Sequence, residues 1–255
     1  MSTLVRVATL NIHKGLSQFN RRVVIHELRE GLRALRPDLV FLQEVQGLNE
    51  RHALRFAAWP GAPQHEYLAG EEWGYAYGRN RVHQYGHYGN AVLSRFPIVS
   101  SENEDISDHR FERRGLLHCV VRVPGWPRNL HCICVHLSLH ERGRRRQLDA
   151  IARRLDELAR AEAPIIVAGD FNDWRQRASR ILERSLGMLD VAAAAGGRRW
   201  RTFPSMLPLL RLDRIYARGF RVASAQVHRG APWSLLSDHL ALSAELERVA
   251  ERRRA

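Results

Sequence analysis

The chain has 255 residues, of which 45% are hydrophobic and 26% charged, a composition that excludes an intrinsically disordered chain. The formal net charge is +13, and Lys14 is the only lysine among the 40 basic residues. This charge attracts polyanions such as nucleic acid or an anionic lipid surface. A coding bias toward arginine explains much of the excess equally well.

Nine short apolar runs predict β-strands, several of them continuous enough to be buried on both faces. They are Val5–Asn11, Leu39–Gln43, Asn90–Ser94, Leu116–Val123, Leu130–Leu137, Ile165–Gly169, Leu212–Tyr216, Arg221–Val227 and Leu240–Leu246. Helical periodicity over Arg22–Arg36 and Arg142–Ala161 predicts two helices, each ended by a proline. We expect one α/β domain over residues 1–250, with sheets inside, helices outside and a basic tail at 251–255.

The cysteines predict a reduced, intracellular protein. Cys132 and Cys134 lie two residues apart on one face of a predicted strand, a poor spacing for a disulfide, and Cys119 lies in a similar run. The first residues read as a strand rather than a secretion signal. No apolar run approaches the ~20 residues of a membrane-spanning helix. We therefore expect a cytoplasmic protein.

Polar side chains recur at the ends of the predicted strands, where a rigid strand can hold a functional group at a loop. These end segments are Thr9–His13, Phe41–Glu44, Val135–Leu137, Val167–Trp174, Arg211–Ile215 and Leu236–His239. Together they supply asparagine, carboxylate and histidine side chains at six positions along the chain. We expect these positions to converge on one site.

The six segments, in this order, resemble the endonuclease/exonuclease/phosphatase superfamily, the DNase I-like fold, from Val5 to Leu246. Asp105–Leu117, Gly169–Arg175 and Leu207–Tyr216 further resemble a bacterial subgroup of unassigned substrate. The resemblance implies a four-layered α/β sandwich in which two packed mixed β-sheets are flanked by helices. It also implies hydrolysis of phosphate esters.

Hydrolysis of a phosphodiester requires charge neutralisation and an activated water. Hard cations prefer oxygen ligands, so we expect Mg²⁺ or Mn²⁺ at Glu44, assisted by Asn11, with Asp238 approaching from the opposite side. The alternative for Glu44 is an ordinary surface carboxylate after a strand.

Roles for the remaining residues follow from the resemblance. Asp170 would orient or deprotonate the attacking water, and Asn172 would hold phosphoryl oxygens. His239 would contact the scissile phosphate while Asp213 fixes its tautomer. Either Asp170 or His239 could be the general base. An alternative for Asp170 and Asn172, compatible with catalysis, is an Asx-rich turn that caps a helix starting near Asp173.

Four further residues carry weaker expectations. The resemblance makes His136 and Arg114 contacts of the phosphate, with a core histidine and a solvated arginine as the alternatives. His13 and His87 could line the cleft beside Asn11 and a strand entrance. The arginines of 142–146 could track a phosphate backbone or simply begin a helix.

The overall hypothesis is a metal-dependent phosphodiesterase, most simply a monomeric nuclease acting on DNA or RNA. Aromatic residues in Glu72–Tyr77 could stack bases, although core packing explains them as well. The alternative substrates are phospholipid headgroups or inositol phosphates, because Trp200–Leu210 is apolar enough to touch a membrane. A non-catalytic binding module is disfavoured, since no key polar residue is missing.

Overall fold

Two mixed six-stranded sheets dominate the computed structural model, which describes residues 4–160, 162–175, 177–196 and 200–249. The first sheet contains β1 (Leu4–Asn11), β2 (Leu39–Asn49), β3 (Gly74–His83), β4 (Gly86–Ser94), β11 (Phe220–Val227) and β12 (Leu242–Arg248). Its strand order is β11-β12-β1-β2-β4-β3.

The second sheet contains β5 (Ile98–Asp105), β6 (Gly115–Val121), β7 (Leu130–His136), β8 (Ile165–Asp170), β9 (Leu189–Asp190) and β10 (Asp213–Arg218). Its order is β5-β6-β7-β8-β10-β9. The helices are α1 (Ile25–Leu35), α2 (Glu50–Arg55), α3 (Gln64–Ala69), α4 (Glu141–Arg160), α5 (Arg177–Leu186), α6 (Val191–Ala194) and α7 (Trp233–Leu236).

The two sheets pack face to face. Phe41 and Val92 of the first sheet share one apolar core with Cys132 and Ile166 of the second. Helices α1, α3 and α7 cover the outer face of the first sheet, and α4 and α5 cover that of the second. The predicted four-layered α/β sandwich is therefore confirmed.

Each sheet is built around one parallel pair, β1–β2 in the first and β7–β8 in the second. The other neighbours in the described sheets are antiparallel. Strand β8 is buried along its whole length, as expected for a parallel strand covered on both faces. Because β1, β7 and β8 end where β10 begins, their terminal side chains lie at one end of the sandwich.

Several predicted boundaries were wrong for identifiable reasons. Strands β3 and β5 were not predicted at all. Many of their residues are exposed and polar, so these segments lack the apolar pattern of a buried strand. The helix expected near Asp173 begins at Arg177 instead, because the buried Asp173 carboxylate accepts the Ala178 amide at 2.7 Å and pairs with Arg214. Helix α1 begins at Ile25 rather than Arg22, since residues 16–23 form a small turn.

The three cysteines are free and buried, as predicted. Burial raises the pKa of the Cys134 thiol to about 12, so this thiol stays protonated. None of the described helices has the length and apolarity needed to cross a bilayer. The tail at 251–255 lies outside the described residues.

Candidate active site

Sheet register brings His136, Asp170 and Asp213 side by side. Asp170 is flanked by two Cα partners. His136 is its partner across the parallel β7–β8 pair, and Asp213 is its partner across the antiparallel β8–β10 pair. Asn11 ends β1 in the opposite sheet. We call this end of the sandwich, where β1, β7 and β8 finish and β10 begins, the site edge.

The Asp170 carboxylate is the centre of the group. Its Oδ2 lies 3.2 Å from Asn11 Nδ2, 3.5 Å from His136 Nε2 and 3.7 Å from His239 Nε2. Its Oδ1 accepts the Asn172 amide at 2.9 Å. Burial raises the pKa of Asp170, the His239 charge opposes the rise and Asp213 adds to it. Asp170 is therefore a stronger base than an ordinary aspartate.

His239 lies between two carboxylates. Its Nδ1 is 2.8 Å from Asp213 Oδ2, so Nδ1 donates and Nε2 faces Asp170. Burial alone would lower the pKa of His239, but Asp213 and Asp170 raise it well above the ordinary value. The Phe203 ring lies 4.9 Å from the imidazole. The imidazole is consequently held in one orientation and in its cationic form.

Asn172 adopts a left-handed backbone with φ of 48°, a conformation that asparagine tolerates better than most residues. Its side chain is buried and Nδ2 donates to Leu137 O at 2.9 Å. The turn after β8 thus supports both the Asp170 carboxylate and the loop after β7. A contact between Asn172 and a phosphoryl oxygen remains a prediction.

Glu44 occupies a bulge of β2 between Leu42 and Val45, where its φ is 56°. Its Oε2 lies 3.0 Å from Lys14 Nζ, in a geometry that makes an ion pair but not a hydrogen bond. Burial would raise the pKa of Glu44, but the positive charge of Lys14 outweighs it, and the value falls to about 2. Glu44 is therefore anionic at any working pH.

A tight turn with left-handed backbone at His13 and Lys14, φ 44° and 60°, presents a basic side chain to each candidate metal-binding carboxylate. His13 Nδ1 lies 3.2 Å from Asp238 Oδ1, while Lys14 pairs with Glu44. Burial would raise the pKa of Asp238, but hydrogen bonding to His13 and nearby positive charge lower it. His13 therefore lies against one candidate metal-binding carboxylate, and its place in a cleft stays a prediction. The contact of Lys14 with the other carboxylate was not predicted from the sequence.

The loop between α7 and β12 is tied to β1 through Ser237. Its Oγ donates to Asn11 O at 2.6 Å and accepts the His239 amide at 3.1 Å. Asp238 and His239 are thereby held against the end of β1, more than 220 residues away in sequence. Ser237 was not singled out from the sequence, because a serine beside two functional residues carries no pattern of its own.

Arg114 is nearly buried beside the centre. Its Nη2 donates to Glu112 Oε1 at 3.1 Å, while its Nε is buried without a hydrogen bond. Burial first, and then the Arg114 charge, lowers the pKa of His136 well below the ordinary value, so His136 is neutral. Glu112, which also accepts the Leu139 amide at 3.0 Å, was missed by sequence reasoning.

Two sequence expectations lie away from the centre. His87 Nδ1 lies 3.0 Å from the Tyr77 hydroxyl. Among the described contacts it has none with Asp170 or with the side chains around that carboxylate. In the 142–146 stretch, buried Arg144 donates to Ser138 O at 3.0 Å and exposed Arg146 pairs with Asp108. The stretch thus forms the start of α4, with Arg144 buried rather than solvated.

Two places could hold a divalent cation. Asp170, Asp213 and His239 are the one described group whose His, Cys, Asp or Glu ligand atoms lie within 4.8 Å of one another. Asp213 and His239 already hydrogen-bond each other, however. Glu44 Oε2 is a buried anionic oxygen whose described partner is the Lys14 ammonium, and a carboxylate oxygen of this kind suits a hard cation. The residues around Glu44 therefore fit Mg²⁺ or Mn²⁺ better.

Comparison with known proteins agrees with this geometry. The chain is 47% identical over 245 residues to the uncharacterized protein YbhP of Escherichia coli strain K12, covering 94% of this chain and 95% of that protein. An endonuclease/exonuclease/phosphatase from Bacteroides vulgatus has a TM-score of 0.76 at 20% identity, covering 96% of this chain and 99% of the other.

Truncated Caenorhabditis elegans TDP2 has a TM-score of 0.68 at 18% identity, covering 96% of this chain and 97% of the other. These structural likenesses concern the fold. The pattern of the endonuclease/exonuclease/phosphatase family matches residues 8–239, which include every residue of the site just described. The chain therefore belongs to the endonuclease/exonuclease/phosphatase family.

Proposed function

We propose that this protein is a divalent-cation-dependent phosphodiester hydrolase. The observation that carries the proposal is the buried Asp170 carboxylate of raised pKa, within 3.7 Å of Asn11, His136 and His239 side-chain nitrogens. A buried carboxylate with a raised pKa beside several nitrogen donors is suited to general-base chemistry on a bound anion. Membership of the family supports the reaction class.

Glu44, with Asn11 and Asp238, would hold the cation, Mg²⁺ or Mn²⁺. When bound there, the cation would neutralise charge on a phosphoryl oxygen. Glu44 supplies a permanently anionic oxygen because its pKa is about 2. The fit rests on the buried, anionic Oε2 of Glu44, which among the described groups pairs only with the Lys14 ammonium.

The protein side chains would carry the first proton transfer. Asp170 takes a proton from the water whose oxygen attacks phosphorus. The bond between phosphorus and the leaving oxygen breaks, and that oxygen departs with the bonding electrons and takes a proton from solvent. Cationic His239 donates from Nε2 to a phosphoryl oxygen, held in place by Asp213. The upward pKa shifts of Asp170 and of His239 support Asp170 as the base and His239 as the hydrogen-bond donor, two roles that the sequence left open.

Arg114 and neutral His136 would add donors to the phosphate, and Asn172 would hold a second phosphoryl oxygen. Arg114 Nε supports this role because it is buried without a hydrogen bond. A buried donor without a partner is costly unless a ligand satisfies it. Nucleic acid is the first substrate we infer from the net charge, and phospholipid headgroups or inositol phosphates are the second.

The test is a panel of phosphodiesters. Purified protein with Mg²⁺ is incubated with plasmid, abasic duplex, RNA, phospholipid vesicles and inositol phosphates, with and without a chelator. We expect turnover of one substrate class that the chelator abolishes. Absence of hydrolysis on every substrate, with either Mg²⁺ or Mn²⁺, would contradict the proposal.

Two variants connect activity to the site. Asp170→Asn and His239→Ala should abolish turnover of the substrate that the panel identifies, while circular dichroism and the thermal unfolding midpoint show a folded protein. Glu157→Gln, on the exposed face of α4, is the matched control and should retain wild-type turnover. Near wild-type rates in both site variants would show that the chemistry lies elsewhere.

A further inference from the structure

Exposed large apolar side chains are unevenly distributed over the described surface. Of the eleven described ones that are more than half exposed, six lie on segments next to the site-edge ends of strands, whereas the exposed Tyr75, Val99 and Val249 lie away from that edge. Tyr75 pairs with Leu93 near the far end of the first sheet, and Val99 follows Ile98, whose partner Val121 ends β6. Scattered apolar residues are normal on a protein surface, but a concentration at one end marks an interaction surface.

The apolar rim is defined here as six side chains, each more than half exposed, on loops that adjoin the ends of the site strands. It consists of Phe19, Phe111, Leu139, Met206, Leu207 and Leu209. Phe19 follows β1, Leu139 follows β7, and the last three precede β10. The rim therefore adjoins strands of both sheets at the end of the sandwich where Asp170 lies.

The loop that carries Met206 and Leu207 is held in place by backbone hydrogen bonds. Thr202 N donates to Leu210 O at 2.8 Å, and Leu240 N donates to Thr202 O at 2.9 Å. The Ser205 amide donates to Asp238 O at 2.7 Å. Met206 and Leu207, 67% and 66% exposed, are thus displayed by a loop anchored beside His239.

Positive charge accompanies these apolar side chains. The segments 12–24 and 200–212 contain no acidic residue, and Arg21 and Arg201 are exposed within them. The other basic side chains of these segments are paired with acidic residues from elsewhere, namely Lys14 with Glu44, Arg22 with Glu27 and Arg211 with Asp190. Arg21 lies 5.8 Å from the ring centroid of Phe19, and Arg110 lies 4.7 Å from that of Phe111. Exposed apolar groups beside basic groups are typical of surfaces that bind anionic membranes.

We propose that the site edge docks on an anionic phospholipid bilayer, with the apolar rim inserted among the headgroups and the basic side chains against lipid phosphates. Docked in this way, Asp170 and His239 face the phosphodiester of a lipid headgroup, so the docking favours the second of the two substrate classes inferred above over nucleic acid. This last step, which names the substrate class, rests on the proposed phosphodiesterase function. The docking itself does not.

The composition of the rim favours a bilayer over a nucleic acid. Proteins that bind single strands stack bases on aromatic side chains, whereas four of the six rim residues, Leu139 and the three before β10, are aliphatic. Aliphatic side chains offer no face for stacking, but their transfer from water to hydrocarbon is favourable. The net charge of +13 suits an anionic bilayer and a nucleic acid equally. The aliphatic side chains of the rim are therefore the feature that favours the bilayer.

The test is co-sedimentation with vesicles of phosphatidylglycerol mixed with phosphatidylcholine, and with pure phosphatidylcholine as the uncharged reference. The protein carries Asp170→Asn so that hydrolysis cannot alter the vesicles. Met206→Glu combined with Leu207→Glu removes part of the rim. Val99→Glu combined with Val249→Glu is the matched control, since it makes the same charge change at exposed valines of the far edge.

We expect binding to the phosphatidylglycerol vesicles, at least about ten-fold weaker in the rim variant, which corresponds to roughly 1.4 kcal/mol. The far-edge control should bind like its parent, and thermal unfolding should show that both variants are folded. Absence of vesicle binding, or equal loss in both double variants, would overturn the proposal, because equal loss reports charge alone.

Two further measurements distinguish a bilayer from two other possible partners of the rim, a nucleic acid and a second copy of the chain. If the rim variant loses affinity for a single-stranded oligonucleotide but keeps its affinity for vesicles, the rim is a nucleic-acid surface and the proposal is wrong. If the protein is a dimer that the rim variant dissociates, the rim binds a second copy and the proposal is again wrong. Vesicle binding without any phosphodiester turnover by the active protein would instead contradict only the proposed function.

Discussion

At the site edge, the first sheet presents the half-buried carboxylate of Glu44 and the second the buried carboxylate of Asp170, and their surroundings have opposite effects on the pKa. Glu44 faces Lys14, and its pKa is lowered to about 2. Asp170 is surrounded by Asn11, His136 and His239, and its pKa is raised. One carboxylate is suited to be a permanent anion and the other to accept a proton. The same residue chemistry therefore acquires two roles from its neighbours.

The largest effect should come from Asp170→Asn, which keeps the side-chain shape but removes the base. We expect kcat to fall by roughly a thousand-fold, in line with the contribution of a positioned base. Raising the Mg²⁺ concentration should restore none of it. The measurement is kcat of the variant at a series of Mg²⁺ concentrations. Recovery of kcat at high Mg²⁺ would show that Asp170 acts as a cation ligand instead.

Glu44→Gln should weaken cation binding at least about 100-fold, because losing even an outer partner of a metal ligand costs 10- to 100-fold. Activity should recover as Mg²⁺ rises, in contrast to Asp170→Asn. Calorimetric titration with Mn²⁺ reads the affinity directly, with Glu157→Gln as the control. Unchanged Mn²⁺ affinity would place the cation at Asp170 and Asp213 and remove the distinction between the two carboxylates.

Asp213→Asn should lower kcat/KM by roughly 10- to 100-fold, as loss of an orienting partner does. Asp213 raises the pKa of His239, and hydrolysis that needs the imidazolium is lost as pH rises through that pKa. With asparagine the pKa is lower, so the alkaline decline should move to lower pH. A pH–rate profile tests this, and an unmoved alkaline limb would exclude His239 as the hydrogen-bond donor.

The smallest effect, and the one opposite in sign, is expected from Lys14→Met. The Lys14 ammonium lies 3.0 Å from Glu44 Oε2 and opposes a cation at that oxygen. Its removal should tighten Mn²⁺ binding about ten-fold, or roughly 1.4 kcal/mol. Lys14→Arg keeps the charge and should bind Mn²⁺ like the wild type. Weaker Mn²⁺ binding in Lys14→Met would mean that Lys14 supports the cation site.

The difference between Glu44 and Asp170 was not predictable from the chain alone. Both follow apolar runs, and both were selected as functional for that reason. The neighbours that separate them come from distant segments, since Asn11 lies 159 residues before Asp170. The left-handed backbone of Glu44 and of Lys14 was likewise not predictable from the sequence, because neither glutamate nor lysine favours that conformation.

By itself, the sequence determined the buried strands, helices α1 and α4 and the polar residues at the strand ends. Periodicity and local composition carry these features, and the resemblance supplied the order of the motifs. Only the tertiary structure decided that β8–β10 register sets Asp213 opposite Asp170. It also decided that Lys14 pairs with Glu44 and that the apolar rim gathers at one edge. Contacts between segments far apart in the chain arise from packing, which no local pattern records.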